Sequence, residues 1–324
     1  MYYSDKLLQF AGDTMEELNE EIGKFLKEYV DASSISFLRE DPYGFASKLQ
    51  RLFSILHISQ QENSLDALKT KTLFCLWNNI LDDLIEYTDK GKQNVLESLQ
   101  ICMLLRKGKD SIVRTETGQI MHDFIQHFYK LSFGPNKEIS EELLFLDLVR
   151  MINGFDYERI VHENDTIGTL PEYMEFATAT VDLRIMLDID IAIFSRSLKL
   201  QTIGDLRQAY KFFDYSLRLS SDIASFKREY YVEKSQNSVI LYGQEKKKLQ
   251  RNILQANKAE KEKMFKNVIP SLMDKIKEKA EKYLTKSLTC LNRIEEIETD
   301  HISKAFKSML EEYPWYDDFS PPPK

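Results

Sequence analysis

Residues 72–87, TLFCLWNNILDDLIEY, decide how this chain is read. Leu73, Phe74, Leu76, Trp77, Ile80, Leu81, Leu84 and Ile85 leave almost no polar face, so a helix here must be enclosed by other helices. Asp82, Asp83 and Glu86 nevertheless interrupt the apolar run. Carboxylates withdrawn from water are costly unless they are paired or bound to a metal. Asp82 and Glu86 are four apart and share one helical face, with Asp83 beside them. Around a hard divalent cation such a group becomes tolerable. Magnesium takes oxygen ligands and commonly joins one or two carboxylates to substrate phosphates. A solvated acidic patch at a helix end is the competing reading of these three residues taken alone.

A second polar row follows about 140 residues later, within FFDYSLRLSSDIASFKREYYVEKSQNSVILYG (212–243). Ser221, Ser225 and Glu229 stand at i, i+4 and i+8, so a helix projects all three from one face. Hydroxyls and a carboxylate in a row are hard oxygen donors, and Arg228 beside them is a cation suited to phosphate. The plainer alternative is a polar stripe on an amphipathic helix.

Together these residues resemble the class I terpene synthases. Asp82-Asp83-Leu84-Ile85-Glu86 is similar to their DDxxD/E motif, and Ser221-Asp222-Ile223-Ala224-Ser225-Phe226-Lys227-Arg228-Glu229 to their NDxxSxxxE motif. The continuation Gln236-Asn237-Ser238-Val239, the spacing and the length also resemble the bacterial-type, single-domain members. The resemblance implies one all-α domain over residues 1–324, a helical bundle around a central apolar cavity with the two motifs facing each other across its mouth. It implies three magnesium ions, with manganese as an alternative metal, and ionisation of a linear isoprenoid diphosphate, farnesyl or geranylgeranyl diphosphate above all, to form a cyclic terpene. By position, Asp82 is the main ligand of the first motif, with Asp83 and Glu86 in support. Ser221, Ser225 and Glu229 are the ligands of the second, and Arg228 is the diphosphate contact. Helical spacing back from the motifs reaches Phe74, Cys75, Asn78, Asn79, Phe213 and Leu217, the expected cavity wall.

The chain departs from the family pattern at three places. Ser221 stands where Asn or Asp is usual. Ala177 and Thr178 occupy the region of a diphosphate-sensing arginine, for which Arg184, two turns further on, is the candidate replacement. The C-terminal Arg-Tyr pair is missing; the tail offers Trp315-Tyr316. These departures motivate a non-catalytic isoprenoid-diphosphate-binding homologue as the second reading. A chain-elongating prenyltransferase is less favoured, because that family carries a second aspartate-rich motif.

The rest of the sequence agrees with a helical protein. Eleven glycines and eight prolines are few for a fold built on tight turns. Apolar residues recur at three and four over roughly 14–30, 43–58, 64–89, 92–107, 116–132, 138–152, 171–197, 204–231, 235–263, 265–293 and 297–312. Breaks are expected at Gly91, Gly134-Pro135, Gly154, Gly168, Gly204 and Pro270, and an irregular tail over 312–324. A net charge of −8 argues against a general nucleic-acid partner. The basic stretch 245–286 interleaves its lysines with glutamates and apolar positions, as solvated helix faces do. Three cysteines with no close pair, five histidines without ligand spacing, no leader-like start and no membrane-length apolar run lead to the expectation of a cytoplasmic protein with reduced thiols. A homodimer is the assembly left to test.

Overall fold

The computed structural model describes residues 13–32, 65–164 and 168–312. These residues form helices and no strand: α1 (Asp13–Ala32), α2 (Leu65–Tyr87), α3 (Gly91–Arg106), α4 (Glu116–Tyr129), α5 (Lys137–Glu163), α6 (Leu170–Phe176), α7 (Arg184–Ile193), α8 (Leu200–Ala224), α9 (Ser238–Glu245), α10 (Lys258–Asn267), α11 (Ile269–Leu291) and α12 (Asp300–Glu312). The expected helix over 43–58 and the tail, including Trp315-Tyr316, lie outside the described residues. No described helix is long and apolar enough to cross a membrane.

Side-chain caps start several helices. The Thr115 hydroxyl accepts the Gly118 N–H at α4, and Thr169 accepts that of Glu172 at α6. At α9, Asn237 accepts the N–H groups of both Val239 and Ile240. Pro270 falls at the start of α11, where its missing N–H costs nothing.

Two expected breaks do not occur. Helix α5 runs straight through Gly154, because that glycine permits contact rather than a turn. A Cβ there would stand 2.7 Å from the Phe176 carbonyl oxygen, on the segment packed against it. Gly204 is absorbed inside α8. Conversely, the single helix expected over 171–197 is two, α6 and α7, separated by a 3₁₀ turn at Ala177–Ala179 and the buried Asp182.

Helix α2 is the enclosed element its composition demands. Leu73, Trp77 and Leu81 are fully buried, and the indole of Trp77 donates to the Ser98 hydroxyl of α3 at 3.1 Å. The larger apolar core joins α1 to α5, α7, most of α8 and α12. A second core gathers Leu219, Phe226, Tyr230, α9 and the first half of α11 around the end of α8. Helices α8 and α11 pack along each other and join the two.

Buried charge crosses this interior. Arg207 binds Asp147 and Asp188, each at 2.6 Å, Arg150 binds Asp182 at 2.7 Å, and Lys71 pairs with Asp190. Burial pushes the Asp214 carboxyl up to about 8, against the stabilising Leu183 N–H that it accepts. These groups clamp α5, α7 and α8 together. Breaking one such pair from one side typically costs about 3–5 kcal/mol.

Candidate active site

Helices α2 and α8 deliver their polar rows to one pocket of about 120 Å³. Asp82, Ile85 and Glu86 line it from α2, and Arg218, Ser221, Ser225, Arg228 and Glu229 from α8 and the turn after it. Helix α5 adds Tyr157, Glu158, Val161 and His162, and α6 adds Tyr173. Helical phase explains the selection. Residues 82 and 86, and 218, 221 and 225, are each three or four apart and therefore share a face.

The α-helical pattern of α8 is interrupted within the second row. After a short turn at Phe226–Arg228 the chain widens into a π turn at Glu229–Glu233, closed by Lys234 at φ 57°. Such widened turns are frequent at functional sites. Here the turn lets Glu233 face α2. The Tyr87 hydroxyl donates to Glu233 Oε1 at 2.7 Å, and Arg228 Nε lies 2.7 Å from the same oxygen. The two distant segments are thus tied directly beside Glu86.

Glu229 is buried and held from both sides. Ser225 Oγ lies 2.6 Å from its Oε1, and the Asn237 amide donates to its Oε2 at 2.6 Å. Burial, then the negative Asp222, push the Glu229 carboxyl up to about 8. Glu86 is raised as well, by burial first and then by Asp82 and Glu233, against the opposing pull of Arg228. Glu158 is pushed up to about 7 by burial despite Arg218 beside it. The pocket is therefore a set of oxygen donors short of positive charge, which is the condition a hard divalent cation relieves. Among the described residues no three His, Cys, Asp or Glu side chains are gathered so that they could hold a metal ion by themselves. Magnesium commonly takes only one or two carboxylates, with waters and phosphate oxygens completing its ligands.

Arg218 is the group that sequence reasoning missed. It lies one turn before Ser221 on the same face, a position the helical spacing already offered. Its Nη1 stands 3.0 Å from Glu158, its Nε 3.1 Å from Asp222, and Nε donates to the Tyr173 hydroxyl at 2.9 Å. Asp222 in turn accepts the Tyr173 hydroxyl at 2.9 Å and the Ser238 N–H at 2.9 Å. Asp222 is thereby pinned away from the pocket and serves to anchor α9.

Several expected site residues are placed elsewhere. Asp83 is buried one position round from Asp82, off the pocket. Arg184 does not reach it either. Its Nε and Nη2 are held by Asp182 at 2.8 and 2.5 Å, within the buried charge network between α5 and α8. Phe74 and Leu217 are buried in the larger core, and Phe213 stacks face to face on Phe306 at 3.8 Å; none of the three lines the pocket. The spacing rule reached them correctly along the helix, but they lie too far inward.

Comparison with known proteins identifies the family and the fold. The family described as terpene synthase family 2, C-terminal metal binding, matches residues 72–258, a span that contains both polar rows. Among solved structures, linalool/nerolidol synthase from Streptomyces clavuligerus, in complex with 2-fluorogeranyl diphosphate, has a TM-score of 0.62 at 10% identity, over 93% of this chain and 98% of that one. The 2-methylisoborneol synthase from Streptomyces coelicolor A3(2), in complex with Mg2+ and geranyl-S-thiolodiphosphate, has a TM-score of 0.60 at 11% identity, over 93% and 89%. At such low identity these two establish the fold alone. No curated protein matches the chain in sequence. The chain belongs to terpene synthase family 2, a family of lyases acting on prenyl diphosphates.

Proposed function

We propose that the protein is a magnesium-dependent terpene synthase that ionises a linear allylic isoprenoid diphosphate, releases diphosphate and forms a cyclic terpene, with residues 1–324 acting as one domain. The observation that supports this most is that Asp82 and Glu86 meet Ser221, Ser225 and Glu229 across one pocket that two arginines, Arg218 and Arg228, also line. Those five oxygen-bearing side chains would hold the metal, with three ions expected, and Asp83 would act from behind Asp82. When bound, magnesium supplies the positive charge that stabilises the departing diphosphate. Arg218 and Arg228 present fixed guanidinium donors to the same oxygens, a form of stabilisation that needs no rearrangement during reaction. Asn237 and Ser225 orient Glu229. Ile85, Val161 and Tyr173 give the pocket its apolar wall and keep water from the cation left behind.

The test is incubation of the purified protein with magnesium and each of geranyl, farnesyl and geranylgeranyl diphosphate. Diphosphate release and product are followed by phosphate assay and gas chromatography–mass spectrometry. Farnesyl and geranylgeranyl diphosphate are the expected substrates, and the bound analogues in the two similar structures make geranyl diphosphate a necessary third arm. A cyclic product whose formation stops with EDTA is the expected result. Tight binding without release would instead favour the non-catalytic homologue. That reading is motivated by the buried Ala177 and Thr178 in the sensor-arginine region. A lengthened diphosphate formed on addition of isopentenyl diphosphate would identify a prenyltransferase.

Ser221 carries a second prediction. A hydroxyl is a poorer magnesium ligand than an amide oxygen, so Ser221→Asn is expected to keep or lower the magnesium concentration giving half-maximal turnover. A rise of about tenfold or more, roughly 1.4 kcal/mol, would show that this side chain does not face the metal.

A further inference from the structure

A second and larger cavity, of about 620 Å³, opens on the far side of α6 and shares no lining residue with the first. Four cationic side chains from four helices line it: Arg150 of α5, Arg184 of α7, Lys211 of α8 and Lys279 of α11. Two exposed carboxylates, Glu175 and Glu245, also line it, and Glu245 is paired with Lys246 at 2.8 Å. The lining therefore carries a positive excess within a chain of net charge −8. Arg184 is nine-tenths buried, with Nε and Nη2 held by Asp182 and Nη2 3.3 Å from Asp147. Arg150 is half-buried and spends its Nη1 on Asp182. Lys211 makes no ion pair among the described residues. Tyr215 and Tyr283, which also line the cavity, stack on each other with centroids 5.0 Å apart and an interplanar angle of 25°.

Cations fixed on separate rigid helices and gathered at a concave surface attract an anion, and guanidinium groups favour phosphate in particular. The volume is that of a small-molecule site, commonly about 300–1,000 Å³. We propose that this cavity binds a phosphate ester joined to a flat, unsaturated group. The phosphate would lie against Lys211, Lys279 and the two arginines, and the flat part on the tyrosine pair. A nucleotide and a prenyl diphosphate share that chemistry, and binding here requires no metal.

In EDTA the first pocket lacks its proposed metal, and variants of Lys211 and Lys279, which line only the second cavity, tell the two sites apart. Isothermal titration in EDTA with AMP, geranyl diphosphate, inorganic diphosphate and adenosine identifies the source. Binding by one phosphate ester, stronger than by adenosine or inorganic diphosphate and weakened by added salt, is the expected result. The double variant Lys211→Glu/Lys279→Glu should lower that affinity at least about tenfold, as loss of charge-assisted hydrogen bonds does. If charge reversal harms folding, judged by circular dichroism, Lys211→Met/Lys279→Met keeps the alkyl stems and removes only the charges. No binding by either ester below about 1 mM, or binding unchanged in both variants, overturns the proposal. Neither outcome bears on metal-dependent turnover, because Lys211 and Lys279 lie outside the first pocket.

Discussion

Asp82→Asn is expected to lower kcat/KM for the preferred diphosphate by at least about 10³-fold, roughly 4 kcal/mol of transition-state stabilisation, while leaving the melting temperature unchanged or raised. The two halves of this expectation share one cause. Asp82 faces the pocket from a helix that is otherwise enclosed, and its charge raises the pKa of both Glu86 and Glu158. In the absence of a cation it is a source of repulsion. The amide is almost the same size and removes that repulsion of Glu86 and Glu158. What it removes is an anionic ligand, and a neutral amide oxygen holds magnesium less firmly. A site that is destabilising for the fold and necessary for the reaction shows this opposition of activity and stability. Thermal melts by circular dichroism, together with steady-state kinetics over a magnesium series, separate the terms. Turnover within threefold of the parent would remove Asp82 from the metal site. A large loss of melting temperature would assign it a structural role instead.

The fold was legible in the sequence wherever apolar periodicity ran unbroken. Helices α2, α3, α4, α11 and α12 fall within a few residues of the expected spans. Two of the failures, at Gly154 and Gly204, share a physical cause, which is that glycine was read as local punctuation; the single helices expected over 171–197 and 235–263 are each two instead. At Gly154 the residue answers a tertiary need, the close approach of the Phe176 carbonyl, and the helix continues. Only the packing of a distant segment could reveal that. Spacing along the chain groups Asp82 with Glu86 on α2, and Ser221 with Ser225 and Glu229 at the end of α8 and in the turns after it, and all five line one pocket. It was not legible where a partner arrives from another helix. Glu158 and Tyr173 stand on α5 and α6, and no spacing connects them to either motif. Arg184 shows the reverse error. Its phase along the chain suited a sensor, but the Asp182 carboxylate two residues before it captures the guanidinium first.

Arg218 offers the second large expected effect, since it serves the fold and the pocket together. Arg218→Ala should both abolish turnover and destabilise the protein by about 3–5 kcal/mol, the usual consequence of stranding buried charges. The stranded groups are Glu158 on α5 and Asp222 on α8, and Tyr173 on α6 loses the cation lying 5.1 Å from its ring centre. Asp222 also holds the first N–H of α9, so the disturbance extends to the helix whose cap, Asn237, orients Glu229. Loss of activity in this variant alone would therefore not separate chemistry from folding. Arg218→Lys makes the distinction. It retains the charge but not the planar fork, which allows one side chain to satisfy Glu158, Asp222 and Tyr173 at once. Its melting temperature should fall less than that of the alanine variant, while kcat falls by at least about tenfold, 1.4 kcal/mol, if the fork also presents donors to diphosphate. Full kcat in Arg218→Lys would confine the residue to a structural role. Adding Glu158→Gln to Arg218→Ala tests the structural half independently. A neutral amide needs no cation, so the double variant should regain part of the lost stability, a coupling that a thermodynamic cycle measures directly. Turnover should remain lost if the guanidinium that lines the pocket serves the departing diphosphate, since the double variant does not restore it.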